Sequence, residues 1–290
     1  MNVRPRRAWR WSDWVLLFGL LIFAIILMWQ PLLDIASIGI NDSEQSHIFL
    51  APLIAIWLLW LRRPRLRHVL FQPSFIGPMI VLLGWLISWW GFQSGIQIYW
   101  HAGSLLVLVG IILSFTGLIP VYLFAPVFGV LLFVLPVPGV LRHSLALPMQ
   151  EFATGVSYSI LELIGVPAVK TGNVLVINGQ SVAVGEACNG MRMIFALTLV
   201  VYAFAFSTPF KPVTRVLLLL ISPIIAILCN IIRLVPTSLI YGYGDPDFAH
   251  DFHDIAGWIM LPLALLLLVM MLRTLRWLEF PVNSYRLASQ

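Results

Sequence analysis

The sequence predicts an all-α polytopic membrane protein with about eight transmembrane helices. Of its 290 residues, 60% are hydrophobic and only 10% are charged, whereas apolar residues make up roughly half of a soluble domain. The mean hydropathy is +0.96, and several apolar runs are long enough to cross a hydrocarbon core of about 30 Å. The pI of about 9.6 reflects basic clusters beside those runs, so we expect no nucleic-acid partner.

Eight apolar runs account for the predicted spans, which we expect to form one membrane-embedded domain over residues 1–290. The second run is short for a crossing, and only Gly117 and Pro120 separate the fourth from the fifth. No cleavage site follows the first run, so we interpret it as a retained span. The runs lie near residues 14–33, 48–61, 75–92, 103–118, 120–137, 191–208, 216–240 and 256–272.

The distribution of Lys and Arg predicts the orientation, because short loops rich in these residues stay in the cytoplasm. With the N-terminus inside and an even number of spans, both termini are cytoplasmic. The outer segments then hold only four of the 17 basic residues, namely Arg142, Lys170, Arg192 and Arg233. The expected location is the plasma (cytoplasmic or inner) membrane, crossed several times.

One extracytoplasmic insertion, at about residues 138–187, separates the fifth and sixth spans. Residues 144–164 have apolar side chains at helical spacing, interrupted by Glu151 and Glu162, which predicts an amphipathic helix in the membrane interface. Residues 173–184 read NVLVINGQSVAV, an alternating pattern around Asn-Gly that predicts a short β-hairpin. This hairpin leads directly into the polar segment GEACNGMRM.

Cys188 is the candidate nucleophile, since it lies in that polar segment just before the sixth span. A helix N-terminus favours a thiolate through its dipole and its free N–H groups. Arg192, four residues later, adds positive charge, and Glu186 lies two residues before the thiol. The alternative is a small buried structural thiol, which is how we interpret Cys229 in the apolar seventh span.

Arg233 is the second candidate, in the sequence NIIRLV of the seventh span. A guanidinium in so apolar a stretch is costly unless it has a partner or a function. Asn230 lies three residues earlier on the same helical face, so we expect it to hold the guanidinium in place. The alternative is that Arg233 only extends to the outer membrane surface.

The third candidate is His253, in the sequence AHDFHDIAGW, which we expect to form an outer loop before the eighth span. His250 is a rival for the same role, and Asp254 is a carboxylate close to both. Two histidines with nearby acids and the Cys188 thiolate could hold a cation. Because the sequence has no HExxH pattern and no second outer cysteine, we expect neither a metal nor another cofactor. A solvated histidine loop is a further alternative.

These three residues together supply the parts of an acyl-transfer reaction. Cys188 would attack a backbone carbonyl, Arg233 would stabilise the oxyanion, and His253 would activate the thiol and protonate the leaving amine. The resulting thioester would pass to an acceptor amine or to water.

The motifs resemble those of the exosortase and archaeosortase family, of the bacterial exosortase type. GEACNGMR is similar to the family's nucleophile motif, NIIRLV to its Asn-x-x-Arg motif, and HDIAGW to its histidine motif. The resemblance extends over residues 46–272 and assigns Cys188, Arg233 and His253 as the catalytic Cys, Arg and His. Asn189 departs from the Ser that is common at its position, which leaves the subfamily and its substrate motif open.

The resemblance implies a transpeptidase that cuts the C-terminal sorting signal of exported, membrane-anchored proteins at the extracytoplasmic face. In the best-known group (PEP-CTERM), this signal has a Pro-Glu-Pro motif, a transmembrane helix and a basic tail. The cleaved protein would then be joined to a membrane lipid or another envelope acceptor.

Two other functions are compatible with the same residues. A hydrolytic intramembrane cysteine protease would pass the thioester to water, and a transporter would use Arg233 and the outer histidines as an ion site. The sequence shows no inverted repeat or paired broken helices, which many transporters have. His47 and His101 are reserve candidates on the outer side.

Overall fold

The computed structural model describes residues 11–68, 72–183 and 191–277. Within these ranges the chain forms eleven α-helices and one three-stranded antiparallel sheet. The chain divides into two compact units, residues 1–138 (unit 1) and residues 139–290 (unit 2). The predominance of long apolar helices agrees with the predicted membrane protein.

Unit 1 contains seven α-helices in its described part, and short 3₁₀ segments extend several of them. The 3₁₀ segments are Ser43–Phe49, Arg63–His68 and Leu131–Val134, and the α-helices are α1 (Trp11–Leu27), α2 (Trp29–Asn41), α3 (Leu50–Arg62), α4 (Ile76–Ser94), α5 (Gln97–Thr116), α6 (Leu118–Leu123) and α7 (Ala125–Val130).

Two of the predicted spans in unit 1 are not continuous helices. Residues 14–33 include a bend of 71° between α1 and α2, and Pro31 lies in the first turn of α2. Residues 120–137 are divided among α6, α7 and the following 3₁₀ segment, and Pro126 lies at the start of α7. Proline has no N–H to donate and its ring clashes with the preceding turn, so the apolar pattern predicted the runs but not these breaks.

The α4–α5 hairpin is packed through glycine. Gly77, Gly84 and Gly91 recur every seven residues on α4, and Gly103 and Gly110 do so on α5. A Cβ added at Gly84 would lie 2.9 Å from the backbone oxygen of Gly103, and one added at Gly110 would lie 2.8 Å from a backbone nitrogen of α4. The two backbones therefore approach more closely than any larger residue would allow.

Unit 2 contains four α-helices and the sheet in its described part. The elements are α8 (Gly139–Leu163), β1 (Ala168–Thr171), β2 (Val174–Ile177), β3 (Gln180–Ala183), α9 (Met191–Ser207), α10 (Pro212–Tyr243) and α11 (Pro246–Trp277).

Helix α8 begins five residues before the segment predicted as an amphipathic helix and ends at Leu163, one residue before the predicted end. Its buried side consists mainly of small and polar residues, whereas large apolar residues are exposed. This pattern suits a helix that packs against protein through small residues and faces lipid with large ones. The buried residues are Ala146, Gln150, Ala153, Thr154, Ser157 and Leu161, and the exposed ones include Leu145, Leu147 and Phe152.

The sheet has the order β1-β2-β3, with both pairs antiparallel. Asn178 and Gly179 form the turn between β2 and β3 with φ of 50° and 76°, as a type I′ turn requires. Strand β1 was not predicted, because four residues that include Lys170 give too short an alternating pattern. The buried side of β2, Leu175 and Ile177, packs with Leu161 of α8.

Four helices among the described residues are long and apolar enough to cross a membrane: Glu44–Leu66, α4, α5 and α10. The number rises to seven if each of three bent helix pairs, such as α1 with α2, counts as one span, and α9 is a shorter apolar helix. The chain is a multi-pass membrane protein.

Candidate functional site

The helices that follow the sheet in unit 2 share one hydrophobic core. Cys229 of α10 is fully buried in this core, so it packs as an apolar residue. The same core includes Leu197 and Val201 of α9, Leu218, Ile225 and Ala226 of α10, and Met260, Ala264 and Leu268 of α11. Residues on α10 and α11 are therefore held in fixed register by packing.

Arg233 lies on α10, half-buried, ten residues before the end of the helix at Tyr243. Its Nη2 donates a hydrogen bond of 3.0 Å to Oδ1 of Asn230. Asn230 is itself only 2% exposed, so its amide is fixed by packing and restricts the guanidinium. The predicted pairing of these two side chains is present.

The guanidinium of Arg233 also lies against α11, at Gly257. A Cβ added at Gly257 would be 3.6 Å from Nη1 of Arg233. His253 is half-buried and precedes Gly257 by four residues, which is one helical turn, or about 6 Å along the axis. His250 is exposed and lies one turn further away on the same side of α11. Of the two rival histidines, His253 is thus the nearer in position to Arg233.

The histidine motif is helical and not a loop. Helix α11 begins at Pro246, and Oδ1 of Asp245 accepts hydrogen bonds from the backbone N–H groups of Asp247 (2.9 Å) and Phe248 (3.3 Å). Asp at the N-cap followed by Pro in the first turn is a strong helix start. The outer-loop prediction was wrong because it relied on the polarity of the histidine segment and did not use the Asp245-Pro246 helix start.

Several of the predicted site residues lie outside the described residues. Cys188 and Glu186 fall in residues 184–190, and the side chain of Asp254 is likewise not described. Helix α9 begins at Met191, three residues after Cys188, and Arg192 is exposed in its first turn. In the sequence, Cys188 therefore lies just before the start of a helix.

The sheet is attached to the C-terminal half of α10. Nδ2 of Asn178 in the β2–β3 turn donates to the backbone oxygen of Gly242 at 3.2 Å, near the C-terminal end of α10. Strand β2 shares a buried cluster with Val235 and Leu239, further back on α10. Because β3 is antiparallel to β2 and starts at this turn, it runs back along α10 from Gly242 in the direction of Arg233.

The reserve histidines belong to unit 1 and are both buried. Nε2 of His101, on α5, is 2.8 Å from Oδ2 of Asp34 on α2, and Nδ1 of the same ring has no partner in the described part of the chain. His47 is 5% exposed, and its Nδ1 is 3.2 Å from the backbone oxygen of Glu44. The sequence did not reveal the Asp34–His101 pair, because 67 residues separate its members.

Among the residues that the structure describes, no three His, Cys, Asp or Glu side chains come together as metal ligands. Gly257 is a site residue to which the sequence analysis gave no role, although it lies within the HDIAGW motif. Its contact with Arg233 could not be predicted, because it depends on how α10 and α11 pack.

Comparison with known proteins supports a family assignment. The family model described as transmembrane exosortase matches residues 39–270 of the 290-residue chain. This match includes Cys188, Arg233 and His253. A search of curated proteins and a search of solved structures found no match.

Proposed function

The chain belongs to the transmembrane exosortase family, and on that premise we propose that it is a membrane cysteine transpeptidase. Its substrates would be exported proteins that are anchored in the membrane by a C-terminal sorting signal. It would cut this signal through a thioacyl intermediate on Cys188 and transfer the protein to a lipid or another envelope acceptor.

The placement of Arg233 carries this proposal. Asn230 holds the guanidinium at 3.0 Å, and Nη1 lies against Gly257, one turn beyond His253. A cation positioned before the reaction can stabilise an oxyanion without reorganising in the transition state. The direction of β3 along α10 supports the further expectation that the Cys188 segment approaches the same guanidinium.

Each residue has one role in the proposed reaction. The Cys188 thiolate attacks the substrate carbonyl carbon, and the negative charge that develops on the carbonyl oxygen is stabilised by Arg233. The C–N bond then breaks, and the imidazolium of His253 gives its proton to the departing amine. An acceptor amine or hydroxyl, deprotonated by His253, attacks the thioester and releases the thiolate.

The orientation of the reaction follows from the positive-inside pattern. Placing both termini in the cytoplasm puts Arg192 and Arg233 toward the outer side. The site would therefore act on the extracytoplasmic side of the plasma membrane, where exported proteins arrive.

The proposal is tested in cells that lack the chain and are complemented with variants. Exported proteins whose C-terminal mass changes on deletion identify a substrate, and an epitope-tagged copy of one serves as the reporter. Cys188→Ala, Arg233→Ala and His253→Ala should each stop loss of the reporter's tail while the variants reach normal membrane levels. Cys229→Ala and His250→Ala are the matched controls and should retain processing.

Normal processing by Cys188→Ala would refute the nucleophile assignment. This is the result expected if the chain is a transporter. The mass of the reporter's new C-terminus distinguishes transfer of the thioester to an acceptor from its hydrolysis. An added lipid or other acceptor agrees with transfer, whereas a free carboxylate would show that the chain is a hydrolase.

A further inference from the structure

Strand β3 is an edge of the sheet in unit 2. The sheet order leaves one side of β3 without a strand partner among the described residues. Leu175 and Ile177 of β2 are fully buried against α8 and α10, so the sheet is fixed in place. Ser181, in the middle of β3, is exposed. A rigid, accessible edge strand offers a template for another extended chain.

The register shows which backbone groups of β3 point away from β2. In a two-residue hairpin the flanking residues, here Ile177 and Gln180, form a hydrogen-bonded pair. Hydrogen-bonded pairs then recur at every second residue, so Val182 also faces β2. The N–H and C=O groups of Ser181 and Ala183 therefore point outward.

Strand β3 lies close to the proposed nucleophile in sequence, and its sheet packs against α10, the helix that carries Arg233. Ala183 precedes Cys188 by five residues, a separation of at most about 17 Å. Strand β3 also runs back along α10 from Gly242 in the direction of Arg233. A peptide aligned on β3 would thus have its cleavage point near the reacting groups.

A substrate that is cut beside a membrane needs such a partner. The carbonyl carbon of a helical residue is enclosed by the helix, so the segment at the scissile bond must be extended. Extended backbone near hydrocarbon leaves N–H and C=O groups without hydrogen bonds, at a cost of several kcal/mol for each group. An edge strand satisfies every second residue of such a segment.

We propose that β3 is the docking strand for the substrate, whose extended segment before the scissile bond adds to the sheet as a fourth strand. The proposal rests on the proposed transpeptidase function and specifies how its polypeptide substrate is held. Recognition would use backbone hydrogen bonds to Ser181 and Ala183, so it would require an extended conformation in addition to any sequence motif.

Ser181→Pro tests the proposal directly, because it removes an outward N–H while leaving the β2–β3 hydrogen bonds intact. Reporter processing should fall about tenfold or more. Ser181→Ala keeps the N–H group and should process normally. Lys170→Pro is the matched control, because it removes an outward N–H from β1, the opposite edge strand. This variant should also process normally at equal membrane level.

A second measurement does not depend on any variant. Peptides that cover the reporter's cleavage region are used to compete with the reporter for processing by the solubilised full-length protein. Two N-methylated versions are made, one with N-methyl groups on the odd-numbered residues of the peptide and one with them on the even-numbered residues. Since one edge pairs with every second residue, one set should compete like the unmodified peptide and the other should be at least about tenfold weaker. Equal behaviour of the two sets would overturn the docking proposal.

The two proposals fail in different ways. If Cys188→Ala is inactive while Ser181→Pro processes normally, docking on β3 is wrong and the transpeptidase remains. If Cys188→Ala processes normally, both proposals are wrong.

Discussion

Asn230 and Gly257 both contact the guanidinium of Arg233 and restrict its position. A guanidinium in an apolar helix would otherwise adopt many rotamers and extend toward water. The Asn230 amide, 2% exposed, accepts its hydrogen bond on one side, and the bare backbone of Gly257 borders it on the other. One residue thus supplies a partner and the other supplies space.

Asn230→Ala should reduce reporter processing roughly tenfold or more, because it removes a hydrogen bond to a charged group. The variant keeps Arg233 itself, so a residual rate should remain, whereas Arg233→Ala should have none. Ile232→Ala, at an exposed position of the same helix, is the control and should process normally. Equal rates for the two alanine variants at positions 230 and 232 would show that Asn230 does not position the guanidinium.

Substitutions at Gly257 test whether the space beside Arg233 admits a methyl group but not a larger side chain. A Cβ at 3.6 Å from Nη1 is ordinary van der Waals contact, so Gly257→Ala should retain processing. Gly257→Leu should displace the guanidinium and reduce processing by about 100-fold. Both rates are compared at equal membrane level, and full activity of the leucine variant would refute the contact.

Residue-level prediction from the sequence depended on spacing along one helix. The Asn230–Arg233 pair could be predicted because side chains three residues apart share a helical face. The Gly257 contact and the Asp34–His101 pair could not, because each joins two helices whose packing is determined by the whole fold.

At the scale of elements, the hydrophobic pattern predicted the presence of helices better than the residues at which they begin and end. The predicted seventh span, residues 216–240, lies inside α10, which runs from Pro212 to Tyr243. Helix α11 starts at Pro246, ten residues before the predicted eighth span, because Asp245 caps a helix start in a segment whose His and Asp residues lower its hydropathy. The capping residue therefore makes α11 longer than the hydrophobic pattern alone predicted.

The β2–β3 turn illustrates the opposite case, in which two residues are sufficient. Asn178 and Gly179 both have positive φ, which Asn and Gly tolerate better than other residues. Their chemistry alone specifies a tight turn, so this feature could be predicted without knowledge of the packing around it.

The α4–α5 hairpin provides a stability prediction. Gly84→Leu places side-chain atoms where a Cβ alone would be 2.9 Å from the Gly103 oxygen, so the helices must separate. The substitution should lower the free energy of unfolding by about 1–3 kcal/mol. Thermal denaturation in detergent and the membrane level of the protein measure this effect.

Gly19→Leu is the matched control for Gly84→Leu. A Cβ at Gly19 has no neighbour within 4 Å, so the same change should leave stability nearly unaltered. Similar losses in both variants would mean that leucine is destabilising for a reason other than the close α4–α5 contact.

At the scale of the whole molecule, charge and hydropathy predicted the class of protein but not the contact between Arg233 and Gly257. The positive-inside pattern predicts that Arg192 and Arg233 lie toward the same side of the membrane. It does not specify distances between helices, which depend on the shared core of α9, α10 and α11. Only the packed unit shows Arg233 beside Gly257, one turn of α11 away from His253.

Proximity of Cys188 to His253 is the central claim of this account, and cross-linking measures it most directly. In a Cys229→Ala background, His253→Cys is paired with the native Cys188, and a short thiol-to-thiol reagent is applied before mass spectrometry of the peptides. Val269→Cys, exposed on the same helix and about 24 Å further along it, is the control. Position 188 should link rapidly to position 253 and not to position 269; linkage to 269 alone, or equally fast linkage to both, would contradict this proximity.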